Sequence, residues 1–122
     1  MNGKFTIEQF QNYCKITVLE HMAAAPLTIE FKNLIDDVIK RNKCKKILFD
    51  LTHVEFVDSS FIGAIVYAYK NLNNIGGKIS VVIKSAMVYD RFMVSQLDRL
   101  FKISSNYEDA ESYIKEWIAL TS

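Results

Sequence analysis

The sequence predicts an α/β fold: a mixed, mostly parallel sheet of about five strands, an antiparallel hairpin at its N-terminal edge and four flanking helices. Short segments rich in β-branched residues alternate with longer segments in which apolar residues recur every three or four positions. Strands that are separated by helices lie parallel and are joined by right-handed crossovers. The first two strands are separated only by a short turn, which indicates an antiparallel pair. An α+β fold is expected instead if the helices cover only one face of the sheet.

In the first half of the chain, a hairpin, a helix and a strand are predicted over residues 5–18, 27–39 and 47–51. Gln11 and Asn12 form the hairpin turn. Pro26 suits the first turn of the helix, where its missing N–H needs no partner. Residues 22–26 otherwise interrupt the pattern, and residues 54–57 are predicted to be a short extension of the third strand.

In the second half, two strands and three helices are predicted, in the order helix, strand, helix, strand, helix, over residues 62–72, 78–83, 87–97, 100–103 and 105–118. The β-branched run at 78–83 suits a central strand with both faces covered. Ser105 and Glu108 have the spacing of a capping box at the start of the last helix. Trp117 and Ile118 continue the apolar face of that helix.

The 122 residues are predicted to form one domain, residues 1–122, which buries about two thirds of the surface that its unfolded chain exposes. A net charge of +1 gives no electrostatic reason to expect a nucleic-acid partner. No apolar run approaches the ~20 residues that cross a bilayer, and the first residues lack the apolar segment of a signal peptide. A cytoplasmic protein without an integral membrane segment is therefore expected.

The residue types that carry metal, redox or catalytic chemistry are sparse. Cys14 and Cys44 have neither metal nor redox spacing, so reduced thiols are expected rather than a disulfide. His21 and His53 have no second ligand at metal spacing, so no metal site is predicted. No set of nucleophile, base and orienting residue occurs, and the glycine pair at 76–77 alone does not make a phosphate-binding loop. The sequence thus predicts neither an enzyme nor a cofactor.

The start of the helix after the third strand is the most informative segment, because Asp58 there precedes Ser59 and Ser60. Unpaired N–H groups and the macrodipole favour an anion at a helix N-terminus. An aspartate or serine cap at this position stabilises a helix by about 1 kcal/mol. A phosphate on Ser59 is tolerated there, because its negative charge lies at the positive end of the helix. Capping by Asp58 and phosphorylation of Ser59 are compatible, and Ser60 is the alternate acceptor.

Residues 50–60, DLTHVEFVDSS, followed by Gly63, resemble the D-L-S-x-V-x-F-M-D-S-S-G-L-G signature of STAS domains, the family of the anti-sigma-factor antagonists. The similarity continues through Tyr69–Lys70, residues 76–78 and residues 100–103. The resemblance implies a mixed sheet flanked by helices, and a domain that binds partners without catalysis of its own.

In family members that act as switches, a partner serine kinase that is also an anti-sigma factor phosphorylates the first serine of the D-S-S triplet, and a phosphatase removes the phosphate. On this chain the resemblance assigns that role to Ser59. The chain is therefore expected to be a phosphorylation-dependent binding module of a bacterial partner-switching pathway that regulates transcription. It would bind the kinase when Ser59 is unmodified.

The sequence departs from the family pattern at two positions. Phe61 replaces the glycine that usually follows the second serine, and it is expected either to obstruct a kinase or to anchor a different partner. Met22 stands where many members carry an acidic residue, and the nearby Glu20 is the candidate to replace that acid.

A partner surface is expected around the serines. Tyr67 lies off the main apolar stripe of its helix, so it is expected to face outward beside the turn that carries Phe61. Buried aromatic residues often dominate the energy of an interface. Packing under a neighbouring helix is the alternative for both aromatic residues. The expected partner-binding residues are Asp58, Ser59, Ser60, Phe61, Glu20 and Tyr67.

Other functions are kept as alternatives. The chain is alternatively a constitutive STAS-like subunit of a membrane-associated transport or lipid-trafficking ATPase, in which the serine segment is a docking surface and Phe61 a contact. A small α/β enzyme or nucleotide binder is a third possibility.

Residues 40–46 contain five cations, which are expected to form a solvated loop complementing the preceding helix C-terminus. A site for anionic lipid heads or an acidic partner is the functional alternative for this basic segment.

Overall fold

The computed structural model describes the backbone of residues 3–121 and the side chains of residues 3–115. The strands are β1 Phe5–Gln9, β2 Cys14–Val18, β3 Met22–Ala23, β4 Lys46–Leu51, β5 Phe56–Val57, β6 Lys78–Ile83 and β7 Lys102–Ser104. The helices are α1 Ala25–Lys40, α2 Ser59–Asn74, α3 Ala86–Val94 and α4 Tyr107–Thr121, with a 3-10 turn at Leu97–Arg99.

Five strands form the main sheet, in the order β1-β2-β4-β6-β7. β1 pairs antiparallel with β2, and every other pair in this sheet is parallel. The predicted mixed sheet with an N-terminal edge hairpin is confirmed. The hairpin turn lies where predicted, since the Phe10 N–H donates to the Tyr13 carbonyl across Gln11 and Asn12 at 2.8 Å.

A second, two-stranded sheet pairs β3 with β5 in parallel, with Met22 beside Phe56. Residues 54–57 were expected to extend the preceding strand, and that prediction was wrong. The chain turns after β4, where the Val54 N–H donates to the Leu51 carbonyl at 3.0 Å. The Phe56 N–H then donates to the carbonyl of His21 at 3.1 Å, so the segment pairs with β3 instead.

Helices cover both faces of the main sheet, so the fold is α/β rather than α+β. α1, α2 and α3 pack on one face over the larger core, in which Phe31, Phe49 and Ile65 are fully buried. α4 packs on the other face through Ala110 and Ile114. Trp117 and Ile118 lie outside the residues whose side chains the structure describes.

The cap of α4 lies one residue later than predicted. The Asp109 N–H donates to the side-chain oxygen of Asn106 at 2.8 Å, and the Asn106 amide donates to the Asp109 carboxylate at 3.0 Å. The capping pair is thus Asn106 and Asp109, not Ser105 and Glu108. Asparagine caps a helix as well as serine does, and two capping pairs overlap in this sequence.

The expectation of two separate reduced thiols was also wrong, because Cys14 and Cys44 form a disulfide. Cys14 opens β2, and Cys44 lies in the connection that leads from α1 to β4. Since Cys14 pairs in register with Ile47 of β4, the topology brings the two Cα atoms to 6.3 Å. A separation of 30 residues along the chain gives no indication of this proximity.

Among the described residues, no helix is both long and apolar enough to cross a bilayer.

Candidate functional site

The candidate site lies at the carboxyl ends of the parallel strands, where β3 and β5 lead into α1 and α2. The Asp58 N–H donates to the Ala23 carbonyl at 3.2 Å, which fixes the end of β5 against the end of β3. α2 begins at the next residue, and Pro26 occupies the first turn of α1. Two helix N-termini therefore meet at Asp58.

One carboxylate caps both of these helices. Asp58 Oδ1 accepts the Phe61 N–H of α2 at 2.9 Å, and Oδ2 accepts the Ala25 N–H of α1 at 2.9 Å. Oδ1 also accepts the Ser60 hydroxyl at 2.7 Å. The hydrogen bond from the Phe61 N–H, followed by that from the Ser60 hydroxyl, lowers the pKa of Asp58 below its ordinary value. The predicted cap at Asp58 is confirmed, and it extends to a helix that the sequence did not link to it.

The two serines have different surroundings, although both residues are exposed. The Ser59 hydroxyl makes no hydrogen bond with any residue in the described part of the chain. The Ser60 hydroxyl donates to Asp58 and also lies 3.1 Å from the Thr28 hydroxyl of α1. Of the two expected acceptors, Ser59 is the one whose oxygen and proton are available to an incoming enzyme.

Phe61 is not a surface residue, so its predicted role as a partner contact was wrong. Its side chain is fully buried and stacks on Phe31 of α1, with ring centroids 4.5 Å apart. The physical reason is helical spacing, because Phe61 stands one turn before Ala64 and Ile65 on the inward face of α2. The prediction placed this apolar stripe from Ile62 onward and thereby left Phe61 outside it.

Tyr67 lies at the seam between α1 and α2, half-buried and away from the serines. Its hydroxyl donates to the Asp36 carboxylate at 2.6 Å, and Lys32 Nζ lies 4.5 Å from the ring centroid. The hydrogen bond to Asp36 raises the pKa of Tyr67. At 1.5 Å rise per residue, Tyr67 is about 12 Å along α2 from Ser59. The structure does not bring it together with the other predicted site residues.

Glu20 does lie at the same end of the molecule as Asp58. It is exposed in the loop between β2 and β3, and it lines a shallow cavity of about 230 Å³ with Met22, Ala24 and Pro26. That cavity adjoins the first turn of α1, whose Ala25 N–H donates to Asp58. Glu20 is thus placed beside the site without contacting either serine.

Two exposed apolar residues of this end were missed by the sequence prediction. Met22 is 64% exposed and Phe56 is 38% exposed, and they are register partners in the β3–β5 sheet. Phe56 and Val57 are consecutive in β5 and therefore face opposite sides of the strand, and of the two only Val57 is buried. α3 contacts β5 and adds Met87, which is 61% exposed, in its first turn.

The basic segment 40–46 lies at the other end of the fold. It connects α1 to the start of β4 at Lys46, whereas the chain leaves the carboxyl end of β4 for the candidate site. Arg41 pairs with Asp37 across one helical turn, with nitrogen and oxygen 3.6 Å apart. The cations of the basic segment therefore do not contribute to the surroundings of Ser59.

The model of the STAS domain family matches residues 27–110, which are more than half of the chain. This chain belongs to the STAS domain family. An anti-sigma F factor antagonist of Paenibacillus polymyxa is 30% identical to this STAS domain over 82 residues, which are 67% of this chain and 68% of the relative.

Solved structures share the fold of this STAS domain. A candidate anti-sigma factor antagonist from Thermotoga maritima aligns with a TM-score of 0.80 at 22% identity, over 93% of this chain and 96% of that one. The Bacillus cell fate determinant SpoIIAA in its phosphorylated form aligns with a TM-score of 0.71 at 17% identity, over 90% and 98% of the two chains. SpoIIAA has also been solved as the unphosphorylated anti-sigma factor antagonist, again with a TM-score of 0.71.

The described side chains of this STAS domain offer no group of three or more His, Cys, Asp or Glu residues that could hold a metal ion. His21 instead lies at the rim of the site, with its Nδ1 atom 3.6 Å from a carboxylate oxygen of Glu55. The chemistry that the site offers is thus an exposed hydroxyl beside a carboxylate, flanked by apolar side chains.

Proposed function

We propose that this STAS domain is a non-enzymatic binding module controlled by phosphorylation of Ser59. The observation that carries the proposal is the exposed Ser59 hydroxyl, which stands at the first position of α2 beside an aspartate that holds the helix start in place. SpoIIAA, which shares the fold, exists in phosphorylated and unphosphorylated forms. The module would act in a bacterial cytoplasm as an anti-sigma factor antagonist in partner switching.

The partner in this proposal is a serine kinase that also serves as an anti-sigma factor, and a cognate phosphatase restores the unmodified state. Unmodified Ser59 lies at the end of the molecule that carries the exposed side chains of Met22, Phe56 and Met87. These side chains supply an apolar contact surface. A phosphate adds about −1.5 to −2 charges next to Asp58, so repulsion and desolvation oppose docking of an apolar or acidic partner.

The alternative function as a constitutive subunit of a transport ATPase rested on Phe61 as a docking contact. Because Phe61 is fully buried against Phe31, that support is removed. The observations on Ser59 accordingly favour the switch over the constitutive subunit.

Phosphosite mapping tests this proposal. The chain is purified from its native cells, during growth and under stress, as wild type, as Ser59→Ala and as the matched control Ser105→Ala, which removes another exposed serine. We expect one phosphoryl group on Ser59 in the wild type and the control, and none in Ser59→Ala. A wild-type chain that carries no phosphate under any condition would refute the switch.

A further inference from the structure

Thr28 of α1 approaches the serine pair from the side opposite to solvent. Its side chain is buried, with 8% of the residue exposed, and its hydroxyl oxygen lies 3.1 Å from Ser60 Oγ. The same hydroxyl lies 3.2 Å from the carbonyl oxygen of Ala24. Ser60 in turn lies 2.7 Å from Asp58 Oδ1. Three side chains from two helices therefore form one hydrogen-bonded row.

The direction of this row follows from the number of protons. Asp58 is a carboxylate and only accepts, so the single Ser60 proton points to Asp58. The Thr28–Ser60 bond then needs the Thr28 proton. The competing acceptor, the Ala24 carbonyl, already accepts the N–H groups of Leu27 at 2.9 Å and Thr28 at 3.2 Å. The row therefore runs from Thr28 to Ser60 to Asp58, and each bond polarises the next.

Asp58 closes the row into a ring that joins the two helices. Its other carboxylate oxygen accepts the Ala25 N–H, in the helical turn that carries Thr28. The positions of Thr28 and Asp58 are thus set by each other as well as by their own helices. If the Ser60 side chain left this ring, the buried Thr28 hydroxyl would keep only the Ala24 carbonyl as its acceptor, which two N–H groups already share.

We infer that Thr28 and Asp58 form a latch on Ser60, and that this latch makes Ser59 the only phosphoacceptor of the pair. The inference rests on the proposed function and specifies which hydroxyl that function uses. Thr28 is a positioning residue in this scheme, since it acts through Ser60 and not on the phosphate.

The chemistry of the transfer explains why the latch discriminates. The acceptor oxygen attacks the γ-phosphorus of a nucleoside triphosphate on the kinase, its O–H proton passes to a base, and the bond to the leaving nucleoside diphosphate breaks. Ser59 oxygen has no competing bond within the described chain. Ser60 oxygen would have to give up the Thr28 proton and also break its own bond to the Asp58 carboxylate, neither of which Ser59 has to do.

Thr28→Val tests the latch, because it replaces the hydroxyl by a methyl group of similar size. It is combined with Ser59→Ala, so that Ser60 is the only serine left in the pair, and phosphosites are mapped in the native cells. We expect Ser59→Ala alone to carry only trace phosphate on Ser60. With Thr28→Val added, Ser60 should be phosphorylated about fivefold faster than in Ser59→Ala alone, as the loss of one ~1 kcal/mol hydrogen bond implies.

Two control variants separate the latch from general loosening of the fold. Thr28→Ser retains the hydroxyl and should keep Ser60 phosphate at the trace level in the Ser59→Ala background. Thr17→Val alters a threonine that is 7% exposed, on β2, and should also leave Ser60 phosphate at the trace level. Equal Ser60 phosphorylation in all of these variants would overturn the latch.

The outcomes distinguish this inference from the proposed function. Phosphate on Ser60 of the wild type overturns the latch while the phosphorylation-dependent module stands. If the wild type carries no phosphate at all, the switch fails, and the latch is decided by NMR couplings that report the Ser60 χ1 angle. One fixed rotamer that becomes averaged in Thr28→Val supports the latch, and an averaged rotamer in the wild type refutes it.

Discussion

At the scale of single residues, Asp58 combines tasks that most helices divide among several side chains. Its carboxylate holds the starts of α1 and α2, fixes Ser60 and stands beside the proposed phosphoacceptor. Because its own N–H is bonded to Ala23, the residue is held by backbone as well as by side chain. The same geometry that stabilises the fold thus determines how Ser59 is presented.

Replacement of Asp58 is expected to destabilise the protein through both helices. Asp58→Ala removes two caps and should lower the free energy of unfolding by about 2 kcal/mol, given ~1 kcal/mol per cap. Asp58→Asn retains an acceptor oxygen and should lose less. Urea denaturation of the three proteins measures the difference, and an Asp58→Ala protein as stable as the wild type would contradict double capping.

The lowered pKa of Asp58 predicts the direction in which the stability of the fold changes with pH. Since the folded-state pKa lies below the ordinary value of 3.8, the carboxylate stabilises the fold above that pH. This stabilisation is lost as the pH falls through the folded-state pKa. The stability of the wild type should therefore fall more steeply below pH 3.8 than that of Asp58→Asn, as unfolding midpoints across an acid pH series would show. If the stabilities of the two proteins fall in parallel at acid pH, the Asp58 carboxylate makes no such contribution.

Phe61 and Phe56 form a matched pair of aromatic residues, one buried and one 38% exposed. Phe61→Ala should lower the free energy of unfolding by about 3 kcal/mol, because it leaves a cavity beside Phe31. For a chain of this size the corresponding fall in Tm is about 10 °C. Phe56→Ala should lower Tm much less. Calorimetry on both variants checks the order, and similar losses would show that Phe61 does not belong to the core.

At the scale of elements, the α2–β6 connection passes very close to the α1–β4 connection, and this limits which residue can stand just before β6. The Lys78 N–H donates to the Lys45 carbonyl at 2.9 Å, and the Gly77 N–H donates to the Leu72 carbonyl at 2.6 Å. A Cβ atom on Gly77 would collide with the Lys45 carbonyl and lie 3.0 Å from Leu72 Cβ. The α2–β6 connection and the basic segment thus fit together only if residue 77 has no side chain.

Gly77→Ala is therefore expected to cost about 3 kcal/mol of stability, since backbone must move to admit the methyl group. Gly76→Ala is the control, because Gly76 has φ +75° but no atom within 4 Å of an added Cβ. Its cost should be only the ~1 kcal/mol of the left-handed conformation. Chemical denaturation ranks the two, and a larger loss for Gly76→Ala would contradict the close approach.

The Cys14–Cys44 disulfide links the edge hairpin to the α1–β4 connection. In air-oxidised protein the intact mass should be lower by two hydrogen atoms, and denatured protein should react with iodoacetamide only after reduction. A cross-link across 30 residues should stabilise the fold by about 3–4 kcal/mol, so reductant should lower Tm. A reducing cytoplasm would hold the same pair as a dithiol. Full alkylation without reductant would contradict the disulfide.

Elements were predictable from sequence where local spacing decides them. The residue numbers of β6 and the Pro26 start of α1 followed from β-branched runs and from helix chemistry. The β3–β5 sheet was not predictable, since each strand has two residues and forms only when distant segments meet. The disulfide was missed for the same reason.

The site was predictable in part. The positions of Ser59 and Asp58 followed from the D-S-S motif, and the cap was confirmed. Phe61 was misplaced because a single departure from a family motif does not show which face of a helix it occupies. Thr28 carried no signal, since only the packing of α1 on α2 brings its hydroxyl to Ser60.

At the scale of the whole molecule, the two ends of the sheet carry different features. The carboxyl ends of the strands meet Asp58, Ser59 and the exposed Met22–Phe56 pair, while the amino ends carry the basic segment and the Cys14–Cys44 link. Fully buried β4 and β6 side chains fill the space between them. A phosphate on Ser59 would therefore act on the surface of one end. We expect no conformational change to pass through the closely packed main sheet to the other end.

Phosphorylation of Ser59 is expected to leave the five-stranded main sheet unchanged. In ¹⁵N–¹H spectra of unmodified and phosphorylated protein, shifts should move in β3, β5 and the first turns of α1 and α2. Amides near Cys44 and along α4 should not move. Shift changes that extend to those regions would indicate a conformational switch instead of the local electrostatic one.

The double capping by Asp58 also bears on how duplicated copies of such a gene could diverge. A residue that holds two helices can be exchanged only with a loss of stability, so we expect it to vary less between copies than its neighbours do. Met22, Phe56 and Glu20 stand beside it with little burial to lose. If two such pathways operate in one cell, we expect these three positions to determine which partner each copy binds. Exchanging them between two copies should then exchange the partners, while Ser59 and Asp58 stay unchanged.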